Sequence, residues 1–233
     1  MKSFTIVVFI FCTFNVVYSS KKTYQITFPA DDALPYAKLL GTIDRHLTDF
    51  TLCHWSRINS NNFKGATFSY AVPTNDNGIL VMLDQQNQTI SSVQFYQNNN
   101  KTEVITIGVE KSKWIHTCIV WSSVEGSWNL YINGKIQQTG KGLSPDATVL
   151  PNGVLILGQD QDLIEQHFDK TQAHKGQMSE VNLWDHPLTP NDINKVYNCE
   201  YKEEGNVISW NLVTWSLYNG ARVSLVTLPC GED

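Results

Sequence analysis

Carboxylates and amides crowd one short stretch of the 233-residue chain, Gly158-Gln159-Asp160-Gln161-Asp162, and Asp169 and Gln172 follow after a few residues. On an extended backbone residues i and i+2 point the same way, so Asp160 and Asp162 can converge. Asp169 and Gln172 can then close over them from the intervening loop. Like charges held together cost free energy unless a cation lies between them, and hard carboxylate and amide oxygens suit calcium. The bland alternative is a solvated acidic loop, because the spacing is not that of an EF-hand.

A hydrolytic reading starts from the same place. The run from Asp160 to Glu165 resembles the E-x-D-x-x-E segment of jelly-roll glucanases, where two carboxylates flank a glycosidic bond. Asp stands here for the first Glu, which would draw a nucleophile back by about one methylene in a geometry that tolerates little misplacement. Other chemistry finds less support. His116 lies two residues from Cys118, but a Cys–His nucleophile pair would leave an odd number of cysteines in an exported chain. The six histidines show no zinc spacing, no serine sits in G-x-S-x-G, and neither a P-loop nor G-x-G-x-x-G is present.

The N-terminus sets the compartment. Lys2, an apolar run over residues 4–17 and the small Ser19 and Ser20 follow the order of a secretory signal peptide, with cleavage expected after Ser19. About 14 apolar residues fall short of the ~20 of a spanning helix, so export is expected without membrane insertion. Removing residues 1–19 removes Cys12 and leaves Cys53, Cys118, Cys199 and Cys230, an even set in an oxidising compartment. Four cysteines allow three pairings, and spacing does not choose among them. Asn87-Gln88-Thr89 and Asn100-Lys101-Thr102 are glycosylation acceptors that export makes usable. A net charge of -5 provides no basic surface for nucleic acid, and 11% aromatic residues, with seven Trp, are too much packing material for a disordered chain.

The elements that must hold these residues read as β almost throughout. Short β-rich runs bounded by turn residues cover 23–28, 66–72, 78–83, 103–109, 154–157, 177–184, 207–210 and 223–228. Alternation is clearest over 128–132, which ends at Asn133-Gly134, a type I′ hairpin signal. One stretch differs. Thr189-Pro190-Asn191-Asp192 supplies an N-cap, a first-position Pro and a third-position acid, and Ile193, Val196 and Tyr197 share one helical face. Many short strands and no linker predict an all-β fold, one domain over residues 20–233, with a single short helix near the C-terminus.

The segment His116-Thr117-Cys118-Ile119-Val120-Trp121-Ser122-Ser123 resembles the pentraxin signature H-x-C-x-[ST]-W-x-[ST], with Val120 departing from it. Phe28-Pro29, Phe50-Thr51-Leu52-Cys53, the Gly158–Asp162 run, Glu180-Val181-Asn182-Leu183-Trp184-Asp185, Leu188-Thr189-Pro190 and Asn206-Val207-Ile208-Ser209-Trp210 match in order. The resemblance spans the mature chain and is greatest to the short pentraxins, the group of C-reactive protein and serum amyloid P component. It implies a flattened antiparallel jelly-roll β-sandwich, secreted, not an enzyme, usually assembled into rings of five.

Carried across residue by residue, the resemblance implies two calcium ions per subunit. Asp76 and Asn77 match the ligand pair of the early loop, Asp160, the carbonyl of Gln161 and Asp162 the central run, and Asp169 and Gln172 the residues completing the second ion. The family commonly has Glu at positions 160 and 169, so each arm is one methylene shorter here. Four aspartates would balance two ions, and open coordination would favour an anionic oxygen donor. Met82 aligns with an apolar residue that packs on choline methyls, and Gln97 stands near the position of a choline-facing acid but is uncharged. Met82 can equally be gap-filling core. The resemblance pairs Cys53 with Cys118. It leaves Cys199 and Cys230, which we expect to pair with each other and so tie the C-terminal strand to the end of the helix. The expected function is therefore calcium-dependent, multivalent recognition of phosphocholine, phosphoethanolamine or acidic glycans in innate, acute-phase defence, with complement as an implied effector. A monomeric jelly-roll adhesion module and the glucanase-like hydrolase are the alternatives.

Overall fold

The computed structural model describes residues 20–30, 34–60, 63–89 and 91–231, the side chain of Phe63 excepted. The expected signal peptide and its cleavage site lie outside the described residues. The chain runs through β1 (Lys21–Phe28), β2 (Tyr36–Leu39), β3 (Asp49–Ile58), β4 (Phe63–Val72) and β5 (Asn75–Gln85). It continues through β6 (Ser91–Gln97), β7 (Asn100–Lys101), β8 (Ile105–Ile107), β9 (Trp114–Ser122), β10 (Ser127–Ile132) and β11 (Lys135–Gly140). Then come β12 (Val154–Leu157), β13 (Gly176–Trp184), α1 (Pro190–Tyr197), β14 (Trp215–Tyr218) and β15 (Arg222–Leu228).

Two antiparallel sheets form the expected sandwich. One has seven strands in the order β11-β10-β9-β3-β13-β1-β15, and the other has β14-β2-β12-β4-β5-β6-β7 with β8 paired to β6. Alternation decides what each strand buries. Phe50 and Leu52 of β3, Ile119 and Trp121 of β9, Phe68 and Tyr70 of β4, and Ile79, Val81 and Leu83 of β5 all enter the core between the sheets. Asn133 and Gly134 both take positive φ, as a type I′ turn requires. The outer face of the seven-stranded sheet carries α1, whose Ile193 packs with Val120, Tyr131, Trp184, Leu188 and the Cys53–Cys118 bridge.

Both disulfides form as expected. Cys53 and Cys118 face each other across β3 and β9, and Cys199, just past α1, bonds Cys230, just past β15. The helix begins where its cap signals, with the Thr189 hydroxyl accepting from the Asp192 amide. Two strand expectations are corrected. Segment 207–210 is no strand, for Ile208 makes only a single bridge to Leu183. The Trp210 indole donates to the Tyr24 carbonyl and stacks on the Tyr24 ring, which turns the chain inward. Segment 103–109 shrinks to the three residues of β8.

Candidate metal centre

The acidic loop begins where β12 ends. Gly158 makes the exit possible: its φ is +95°, and a Cβ there would stand 2.6 Å from the Phe28 ring. The loop then folds back over the outer face of β4, pegged by Gln161. The Gln161 side chain donates to the carbonyls of Ser69 (2.9 Å) and Val154 (3.1 Å) and accepts from the Glu165 amide (3.1 Å). Its own amide donates to the Ser69 hydroxyl. At the far end, the Ala66 amide donates to the Gln172 carbonyl, which fastens the returning chain to β4. Sequence reasoning assigned Gln161 only a carbonyl; its buried side chain positions the whole loop.

This path gathers the expected ligands unevenly. Asp160 is 5% exposed, and burial pushes its carboxyl up to about 7, with the charges of Asp162 and Asp76 adding to the shift and Lys64 opposing it. Asp76 and Asn77 arrive at the start of β5, just past the turn joining it to β4. Gln172 donates from Nε2 to Oδ2 of Asp160 at 3.1 Å. Asp169 is turned to other company. It is exposed, its Oδ1 accepts from the Thr171 amide at 2.8 Å, and that bond holds its carboxyl below the usual range.

The donor set suits a hard cation. Oδ1 of Asp160 and Oδ1 of Asn77 are both buried and both lack a hydrogen-bond partner. Leaving such oxygens unsatisfied costs about 1–3 kcal/mol each, and more for a charged one. Two orphaned oxygens, one of them on a carboxylate that feels the charges of Asp162 and Asp76, suit a hard cation such as calcium, and nitrogen or sulfur donors for zinc are missing from the set. Cys53, His116 and Cys118 do cluster on the opposite sheet, but the two sulfurs are bonded to each other and offer no thiolate.

The glucanase-like geometry is not formed. Residues 163–166 make a turn, Glu165 has φ +56°, and its carboxylate pairs with Lys38 of β2. Asp160 and Glu165 therefore do not project from one strand face. The two residues expected to contact ligand are both covered. Gln97 is opposite Ile79 in the β5–β6 register and so lies on the core side, fully buried. Met82 does face outward, but it is only 2% exposed and belongs to a small cluster with Ala66 and Leu80 against which Tyr96 packs. The outer face of β6 is made by Ser92, Gln94 and Tyr96, to which the sequence assigned no role. Asn87 is exposed, as a glycan acceptor must be; Asn100 is exposed too, but its amide nitrogen donates to the Ser144 hydroxyl.

The chain matches the Pentaxin family over residues 24–224. The chain belongs to the pentraxin family. It is 34% identical over 207 residues to neuronal pentraxin-2 of Cavia porcellus, covering 89% of this chain and 47% of that protein. Over 199 residues it is 34% identical to human neuronal pentraxin-1, covering 85% of this chain and 45% of the relative. The chain thus spans less than half the length of these pentraxins. Among solved structures, the native heptameric SAP-like pentraxin of Limulus polyphemus superposes with a TM-score of 0.80 at 25% identity, over 87% of this chain and 94% of that one. A putative carbohydrate-binding protein of Bacteroides ovatus shares the fold, with a TM-score of 0.59 at 12% identity. The pentraxin sandwich expected from the sequence is the fold observed.

Proposed function

We propose that this pentraxin is a secreted, non-catalytic binding protein that captures phosphate-bearing or acidic glycan ligands through calcium. Asp76, Asn77, Asp160, Asp162 and the Gln161 carbonyl would hold one ion, and Asp169 with Gln172 would complete a second. The observation that carries the reading is the pair of buried, partnerless oxygens, Oδ1 of Asn77 and Oδ1 of Asp160, the latter on a carboxylate that feels the charges of Asp162 and Asp76. Bound calcium would supply open coordination positions for an anionic oxygen. The chain's own residues do the rest: Gln161 anchors the loop, Gln172 orients Asp160, and the rigid β4–β5 pair presents Asp76 and Asn77.

A single bridged anion binds weakly, and several sites on one rigid ring would raise avidity by orders of magnitude. A closed ring is therefore the proposed assembly; the resemblance implied five subunits, and the Limulus relative is heptameric. The two neuronal pentraxins named above do not carry innate, acute-phase defence in their names. The test is a ligand array of phosphocholine, phosphoethanolamine and acidic sugars, run with calcium and with chelator. Capture should require calcium, and calcium-independent capture would overturn the reading. Substituting Glu165→Gln should leave capture intact, whereas calcium-dependent glycan cleavage lost in that variant would mark an enzyme.

A further inference from the structure

The pairing of β4 with β5 is irregular where Asp76 and Asn77 sit. Val72 faces Asn75 and Tyr70 faces Ile79, so Asp76, Asn77 and Gly78 lie together against the single residue Ala71. A bulge of this kind gives up regular ladder bonding, and other groups must hold it. The turn between β6 and β7 does so. Asn98 and Asn99 both take positive φ, +48° and +64°, a conformation that asparagine tolerates better than most residues. Their backbone amides donate to the carbonyls of Gly78 (3.3 Å) and Asn77 (3.2 Å), which docks the turn on the bulge.

Four asparagine side chains complete the junction, and the groups at its ends fix which way each amide points. The Asn77 backbone amide can only donate, and it donates to Oδ1 of Asn75 at 3.0 Å. Nδ2 of Asn75 then donates to Oδ1 of Asn98 (2.8 Å), and Nδ2 of Asn98 to the Thr148 carbonyl (3.4 Å), which can only accept. The Asn77 side chain is oriented by the same logic. Its Nδ2 donates to Oδ1 of Asp76 (3.3 Å) and to Oδ1 of Asn99 (3.1 Å). With the nitrogen engaged twice, Oδ1 is the atom left buried and without a partner. A flipped amide would set that oxygen against the Asp76 carboxylate and leave an N–H group where a cation needs an oxygen.

We infer that Asn99 is a positioning residue of the metal centre: by accepting from Nδ2 of Asn77, it presents Oδ1 of Asn77 to the cation. Asn75 and Asn98 support the same arrangement through the Asn77 backbone. Asn99 acts through Asn77 and supplies no ligand of its own. The inference rests on the calcium reading proposed above and deepens it, because a turn outside the ligand set then tunes the grip on the ion.

Asn99→Gly keeps a residue suited to positive φ and deletes only the acceptor, whereas Asn99→Asp keeps an acceptor. Calcium affinity by calorimetry should fall in Asn99→Gly by about tenfold, the lower end for groups that support metal ligands. In the Asn77→Ala background, Asn99→Gly should cost nothing further, as expected if it acts through Asn77. Terbium, a luminescent stand-in for calcium, gives a reading independent of affinity, since its lifetimes in ordinary and heavy water count the waters on the ion. With one equivalent bound, Asn99→Gly should carry about one water more than the wild type, and Asn99→Asp the wild-type number. The urea midpoint in chelator should be the same for Asn99→Gly and the wild type. A wild-type affinity and water count in Asn99→Gly would overturn the inference while leaving the calcium reading standing. So would a lower urea midpoint with an unchanged water count, which marks a purely structural role. If the wild type binds neither ion, the calcium reading falls and the inference with it.

Discussion

At the residue scale, the centre depends on a few oxygens and on one amide that touches no ligand. Asp160→Asn removes a charge from the middle of the cluster and should lower calcium affinity by at least tenfold to a hundredfold, about the scale seen even for supporting groups around metals. Gln161→Ala should act differently. It strips four hydrogen bonds from the loop but leaves every carboxylate in place, so calcium binding should weaken less than in Asp160→Asn, while protease cleavage within residues 160–172 increases in the calcium-free protein. Both effects are read by calorimetry and limited proteolysis. Residue type and spacing made Asp160, Asp162 and Gln172 legible as a set. The role of Gln161 was not, because its partners Ser69 and Val154 lie 92 and 7 residues away and are joined to it only by folding. Gln97 shows the same limit more sharply, since the alternation of β6 sets it opposite Ile79 on the core face.

At the scale of elements, short-range signals translated directly. The helix over Pro190–Tyr197 starts at Thr189, whose hydroxyl accepts from the Asp192 amide. Thr189→Ala should therefore cost about 1 kcal/mol in urea unfolding. The Cys199–Cys230 bridge closes 31 residues between that helix and β15. Replacing both cysteines by serine should cost about 2–4 kcal/mol, measured the same way under non-reducing conditions, with assembly unchanged if the bridge serves only the subunit. β15 is an edge strand, with Leu225 89% exposed, so the bridge restrains an element that little else covers. Segment 207–210 misled by composition, since its β-rich residues serve a turn that drives Trp210 into the core.

For the whole molecule, three histidines report on the integrity of the interior. Burial drives His54 and His116 down to about 3 and His174 to about 4, against an ordinary 6.5. A depressed folded value means the unfolded chain binds protons first, so the stability they contribute is complete above pH 6.5 and is lost as pH falls toward 4. The slope should reach about 1.4 kcal/mol per pH unit for each histidine, and urea midpoints between pH 7.5 and 4.5 measure it. A flat profile would mean the histidines are hydrated. Native mass tests the larger assembly: a single-subunit mass in calcium would refute the ring.

The sequence by itself determined the fold class, the helix and the acidic loop, because strand alternation, caps and motif spacing act over a few residues. The resemblance carried by its motifs extended this to the family and implied a ligand set. Tertiary structure alone decided that Gln97 faces the core, that Met82 is covered, that Glu165 is held by Lys38 and that Asp169 is exposed. The physical reason is register. Each of those facts depends on which residues of distant strands lie opposite one another, and pairing is settled only when both sheets bury their inner faces together.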